Sequence, residues 1–205
     1  MGKLVTSALR WDAQLLQDAV RESLRTSPDS FLMTVEDVDA KPLDYWMGEI
    51  RSSTWVVAQR RGDVVGTAVA RWPDDEMDTD IDPDTARFIE SVWIAPDLRG
   101  RRISERLLRF LFEQECEKNP EIRQFLLWVF DDNHRAIRLY ERMGFEYAAV
   151  KQRHAPADMT ELMYRLSFGS AEMKAAETAV NEAARRHDRR QYGVTYRVLG
   201  EQHAP

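Results

Sequence analysis

Residues 88–108 read FIESVWIAPDLRGRRISERLL. The stretch 88–95 is rich in β-branched and aromatic side chains, so it reads as a strand, and Pro96 ends it because proline cannot donate to a ladder. A new period then begins. Ile103, Leu107, Leu108, Leu111 and Phe112 form an apolar stripe at helical spacing over 101–118, and Pro120 stands just past the point where that helix must stop. Between strand and helix lie Arg99, Gly100, Arg101 and Arg102. The first N–H groups of a helix have no internal partner and sit at the positive end of its dipole. Gly100 and the small Ser104 would let a ligand approach the main chain closely. Such a turn suits a diphosphate, with arginines adding charge. Taken alone, it suits a solvated loop as well.

Downstream, 124–130 is almost wholly apolar, which predicts a strand covered on both faces. Residues 133–143 follow as a helix ended by Gly144. Asn133, Ile137, Tyr140 and Gly144 share one face of it, with Ala136 alongside. A tyrosine at such spacing is ordinarily core with its hydroxyl bonded, and Asn133 is ordinarily an N-cap, with Asp131 and Asp132 as rivals. Residues 145–152 and 161–166 are candidate closing strands. Upstream, 12–24 is an amphipathic helix, 27–30 a turn, and 31–50 partly helical with a break near Lys41 and Pro42. Residues 55–59 and 64–71 form a hairpin about Arg61, Gly62 and Asp63. Helices, a hairpin, then strand–helix–strand–helix–strand define a mixed α/β sheet with a right-handed βαβ crossover.

The chain has 205 residues, enough for one full domain with an appendage, and its 43% hydrophobic content supplies a real core. A net charge of −6 argues against nucleic acid as the partner and leaves room for a cationic small molecule or a basic peptide. The single cysteine, Cys116, forbids an intramolecular disulfide and reads as a small core residue. The four histidines lack metal-ligand spacing, so no metal is expected. Residues 1–10 carry no signal-peptide core and no run is long enough to span a membrane, so a soluble cytoplasmic protein is expected.

The two segments together resemble the GNAT superfamily of acetyl-CoA-dependent N-acetyltransferases. Its acyl-CoA loop reads Q/R-x-x-G-x-G/A, and 99–104 sits in that register behind a hydrophobic strand. Its next motif reads N-x-x-A-x-x-x-Y-x-x-x-G-F, matched at Asn133, Ala136, Tyr140, Gly144 and Phe145. The resemblance covers roughly 4–167 and is strongest over 88–145. It implies one domain with a mixed, splayed central sheet flanked by helices, and acetyl-CoA as cosubstrate without a metal. Backbone groups of Val92, Trp93 and Ile94 would pair with pantetheine. Arg99, Gly100, Arg101, Arg102, Ile103 and Ser104 would hold the diphosphate, and Asn133, Ala136 and Tyr140 would complete the site. Tyr140, with an ordinary pKa of about 10, would protonate the departing thiolate.

Glu90 is the candidate base, the alternative being a strand-end carboxylate facing water. Related ribosomal-protein alanine acetyltransferases carry their base five residues before the motif's Asn. Trp128 stands there, which suggests an aromatic wall for the acceptor or plain core packing. The loop departs from the motif at Arg102, where glycine is preferred, and at Ser104. An arginine fits there with negative φ and an outward side chain, at the expense of weaker or differently angled diphosphate contact. Seven carboxylates in the loop 73–84 would concentrate a cationic acceptor or simply be solvated; calcium is discounted because its turn glycine is missing. The acceptor expected is a small-molecule primary amine. A protein N-terminus or lysine is the second reading, and a non-catalytic acyl-CoA-binding module the third.

Residues 168–205 exceed the resemblance. Met173, Ala176, Val180, Ala183 and Ala184 share a helical face over 171–186. Tyr192, Val194, Tyr196 and Val198 alternate as a strand with one buried face. This helix–strand extension is expected to pack on the domain 1–167 or on the second subunit of a homodimer, with a mobile end at 200–205.

Overall fold

The computed structural model describes residues 2–73, 81–154, 159–168 and 171–201. The acidic stretch 74–80 and the terminal 202–205 therefore lie outside the described residues, as do the side chains of Met173, Ala176 and Val180.

Helix α1 (Gly2–Thr26) starts ten residues before the stripe that announced it. A short 3-10 turn at Pro28–Ser30 leads to α2 (Val35–Ala40), started by a capping box between Thr34 and Asp37, and to α3 (Leu43–Ser52). Leu16, Val20 and Leu24 of α1 pack with Trp46, Met47 and Ile50 of α3. Together they cover one face of β1 (Thr54–Arg60) and β2 (Asp63–Arg71) through Trp55, Val57 and Val69. Arg61 and Gly62 join these strands, both at positive φ, as a two-residue hairpin turn demands.

Strand β3 (Ala86–Ile94) pairs antiparallel with β2, and α4 (Ile103–Lys118) then crosses to β4 (Gln124–Phe130). Helix α5 (His134–Arg142) leads to the antiparallel pair β5 (Glu146–His154) and β6 (Met159–Ser167), and β6 lies against β4. Leu107, Leu108 and Leu111 of α4 and Tyr140 of α5 pack over Val56, Ala68, Ile89, Phe125, Leu127 and Val129. Leu126 faces the other way, with Ala86, Phe88 and Met163. Both faces of β4 are covered, which is why its sequence is apolar throughout.

One junction gives the sheet its shape. β3 and β4 run parallel and pair only where Ala86, Arg87 and Phe88 meet Gln124, Phe125 and Leu126. Beyond that, β3 stays with β2 and β4 with β6, so the two halves of the sheet part.

Helix α6 (Ala171–Tyr192) and β7 (Val194–Val198) return to the same chain. β7 pairs antiparallel with β1 and gives the sheet order β5-β6-β4-β3-β2-β1-β7. α6 docks on α4, where Arg185 pairs with Glu113 at 2.6 Å and Asn181 bonds the same carboxylate at 2.7 Å. Arg197 of β7 donates from Nη2 to Asp12 of α1 at 2.6 Å, and just past the strand the Gly200 N–H donates to the same carboxylate at 2.9 Å. Among the described residues no helix is long and apolar enough to cross a membrane.

Candidate active site

Where β3 and β4 part, a groove of about 590 Å³ opens. Val92, Trp93 and Ile94 line it from the strand, and Arg99, Gly100, Arg102, Ile103 and Ser104 from the loop and the start of α4. Asn133, Ala136 and Tyr140 line it from α5. The two motifs, about thirty residues apart in sequence, thus form opposite banks of one cavity.

The strand bank is bent. Ser91 lies at φ 51, and the register with β2 slips between Thr67 and Val69. This is a β-bulge, which re-aims the residues after it. Thr67 Oγ1 donates to the Ser91 carbonyl at 2.8 Å and fixes the bulge, and Trp93 Nε1 donates to Thr26 Oγ1 at 3.1 Å. Opposite Ile94 stands Gly66, where a Cβ would fall 2.5 Å from Ile94 Cδ1. Glycine there lets Ile94 lie down on β2.

The loop bank is largely main chain. Arg99 Nε donates to the Ile94 carbonyl at 2.9 Å and its Nη2 to Ser27 Oγ at 2.6 Å, so this arginine braces the turn. Burial first, and then the nearby Arg135 charge, pull its guanidinium below the ordinary value. Gly100 has φ 78, and a Cβ there would meet nothing within 4 Å, so its role here is conformational. Arg102 corrects an expectation. Its φ is 59 and its ψ 17, left-handed and not negative. The chain must turn sharply onto the axis of α4 there, and the loop imposes that conformation on whatever residue occupies it. No side chain caps α4, and its first internal bond runs from Arg106 N to the Arg102 carbonyl at 3.2 Å. The N–H groups of Ile103, Ser104 and Glu105 therefore have no helical partner, and all three residues face the groove. Uncapped amides at a helix start fit a diphosphate.

On the α5 bank, Asn133 Oδ1 accepts from Ala136 N at 3.2 Å, so Asn133 is the N-cap and Asp131 and Asp132 are not. Tyr140 is 6% exposed and its ring meets Phe145 at 5.7 Å. Its hydroxyl bonds no described residue, and burial pushes its pKa above the ordinary phenol value. A buried tyrosine without a bonded hydroxyl departs from the usual core tyrosine.

Three anticipated site residues lie elsewhere. Arg101 does not line the groove; its guanidinium stacks over Tyr192, 5.0 Å from the ring centroid. Glu90 lies outside it too, with its side chain 52% exposed and paired with Arg71 Nε at 2.9 Å. Arg71 also holds Glu49 and Ser53. Trp128 is half-buried on the far face of β4, beside Phe88, Leu126 and Met163. Other residues were missed. Arg135 and Arg142 line the groove, and their spacing of seven places them on one helix face. Thr26, Ser27 and Phe31 line it as well, though nothing local in sequence shows that the end of α1 returns there.

The family model for the Acetyltransferase (GNAT) family matches residues 17–145, which include both motifs. The chain belongs to the GNAT acetyltransferase family. No curated protein matches it in sequence. Among solved structures, smu.2055 from Streptococcus mutans UA159 superposes with a TM-score of 0.60 at 16% identity, covering 77% of this chain and 94% of that one. YncA from Salmonella typhimurium, solved with its cofactor acetyl-CoA, gives 0.58 at 18% identity over 78% and 91%. The ribosomal-protein-alanine N-acetyltransferase from Brucella melitensis gives 0.54 at 22% over 79% and 95%. Likeness at these identities is likeness of fold.

Proposed function

We propose that this protein transfers an acetyl group from acetyl-CoA to a primary amine, with Tyr140 as the acid for the leaving group. The observation that carries this reading is one groove holding both an uncapped helix start at Ile103, Ser104 and Glu105 and an unbonded phenol at Tyr140. The amides take the diphosphate, and the gap between β3 and β4 admits pantetheine. The family membership and the acetyl-CoA of the Salmonella neighbour support the choice of donor.

The amine nitrogen attacks the thioester carbonyl, a C–N bond forms, and the C–S bond then breaks. The sulfur leaves with the electron pair and takes the Tyr140 proton. The proton shed by the amine passes to Glu90 through water, and the phenolate is reprotonated from solvent. Glu90 is the carboxylate of β3, one residue before the bulge at Ser91, and it stands outside the groove, so the relay to it runs through water.

Thiol release from acetyl-CoA in the presence of pooled primary amines tests the scheme. Tyr140→Phe is expected to lower turnover about tenfold or more and leave coenzyme A affinity unchanged. Glu90→Gln is expected to lower turnover by a similar factor, about tenfold. Wild-type turnover in either variant at saturating acceptor removes that residue from its role.

A further inference from the structure

The loop at 100–102 is gripped from the end of the chain. Arg106, on the first turn of α4, donates from Nη2 to the Arg101 carbonyl at 2.5 Å and from Nε to Asp188 of α6. Asp188 is 0% exposed. Its Oδ2, the oxygen that meets Arg106, also accepts from the Tyr196 hydroxyl on β7. Burial, and then the hydrogen bond to Asp188, push the Tyr196 phenol above its ordinary value, so it remains a donor. The Arg101 side chain meanwhile lies on Tyr192 at the end of α6. The extension therefore meets the Arg101 guanidinium directly and holds its carbonyl through Arg106.

The next residue, Arg102, occupies the left-handed region that a motif glycine would occupy freely. A residue kept in such a conformation persists only where its surroundings over-determine it. Pinning the Arg101 carbonyl does that, and it sets the direction in which the amides of Ile103, Ser104 and Glu105 point. The geometry points to Asp188 as a positioning residue for the acyl-donor loop, acting through Arg106 on the Arg101 carbonyl, so that the C-terminal helix and strand are part of the donor site. This rests on the loop being that donor site. A second clamp supplies the control. Arg185 and Asn181 tie α6 to Glu113, further along α4, without touching the loop.

Calorimetric Kd for coenzyme A and the thermal midpoint are measured together for wild type, Asp188→Asn, Tyr196→Phe and Arg185→Ala. Asp188→Asn is expected to weaken coenzyme A about tenfold, as loss of one charged hydrogen bond would. Tyr196→Phe is expected to shift Kd the same way by a smaller factor. Arg185→Ala is expected to lower the midpoint and leave Kd unchanged. A general loss of packing would move the midpoint in all three without separating their Kd values. Wild-type Kd in Asp188→Asn overturns the inference, and so does an Arg185→Ala Kd as weak as that of Asp188→Asn. If Asp188→Asn does not fold, Tyr196→Phe against Arg185→Ala decides. No heat from wild type overturns the donor-site reading and this inference with it; a binding wild type matched by its Asp188→Asn variant overturns this inference alone.

Discussion

Tyr140 shows how far one residue can be read. Its spacing from Asn133 and Gly144 located it on a helix face, but an ordinary core tyrosine has the same spacing. What separates the two is a hydroxyl without a partner, and that depends on atoms far away in sequence. Burial raises its pKa, so the neutral, proton-bearing form extends to higher pH than for a free phenol. Below the ordinary value of about 10 the group is protonated in folded and unfolded chains alike. Above it the unfolded chain ionises first, and this group's share of stability is lost as pH rises. Turnover measured against pH should therefore show no basic limb due to Tyr140 below about pH 10. A limb near pH 8 to 9 that vanishes in Tyr140→Phe would contradict this. Glu90 teaches the converse: a carboxylate on an apolar strand was legible as unusual, but its pairing with Arg71 required the register of β2 against β3.

At the scale of elements, periodicity carried most of the fold. The stripes of α1 and α4, the hairpin at Arg61 and Gly62, and the doubly buried β4 all follow from spacing and turn chemistry. Two features did not. The bulge at Ser91 leaves no mark in sequence beyond two polar residues, because its cause is the slip against Thr67 and Val69. In sequence an arginine at 102 is tolerable on condition of a negative φ, yet the turn onto the axis of α4 sets the backbone at φ 59. A left-handed arginine carries strain of about 1–3 kcal/mol, partly offset by the greater entropy a glycine loses on folding. Arg102→Gly should therefore stabilise the protein by about 1 kcal/mol and raise Tm by roughly 2–4 °C in a calorimetric scan. An unchanged or lower Tm would mean that the Arg102 side chain contributes more than its backbone costs.

For the whole molecule, the half carrying the two motifs was legible and the closure was not. Both motifs lie in the interval the family model matches, and the splayed sheet is what their resemblance implied. The alternation at 192–198 announced a strand, but pairing with β1 joins residues well over a hundred positions apart, and no local pattern encodes that. Val194, Val198 and Leu199 are buried by it. Each such side chain is worth about 1.5–3 kcal/mol, so their sum approaches the whole stability of an ordinary domain, about 5–15 kcal/mol. A chain ending at Phe168 should accordingly aggregate or lose its cooperative thermal transition; a soluble truncation with wild-type Tm would contradict that. The central claim is that main-chain amides at the start of α4 hold the donor's diphosphate while its sulfur meets Tyr140. A crystal structure with coenzyme A tests it most directly. The account predicts diphosphate oxygens at hydrogen-bond distance from the N–H groups of Ile103, Ser104 and Glu105, with the thiol beside the Tyr140 hydroxyl; coenzyme A seated with its diphosphate away from α4, or its sulfur remote from Tyr140, would contradict it.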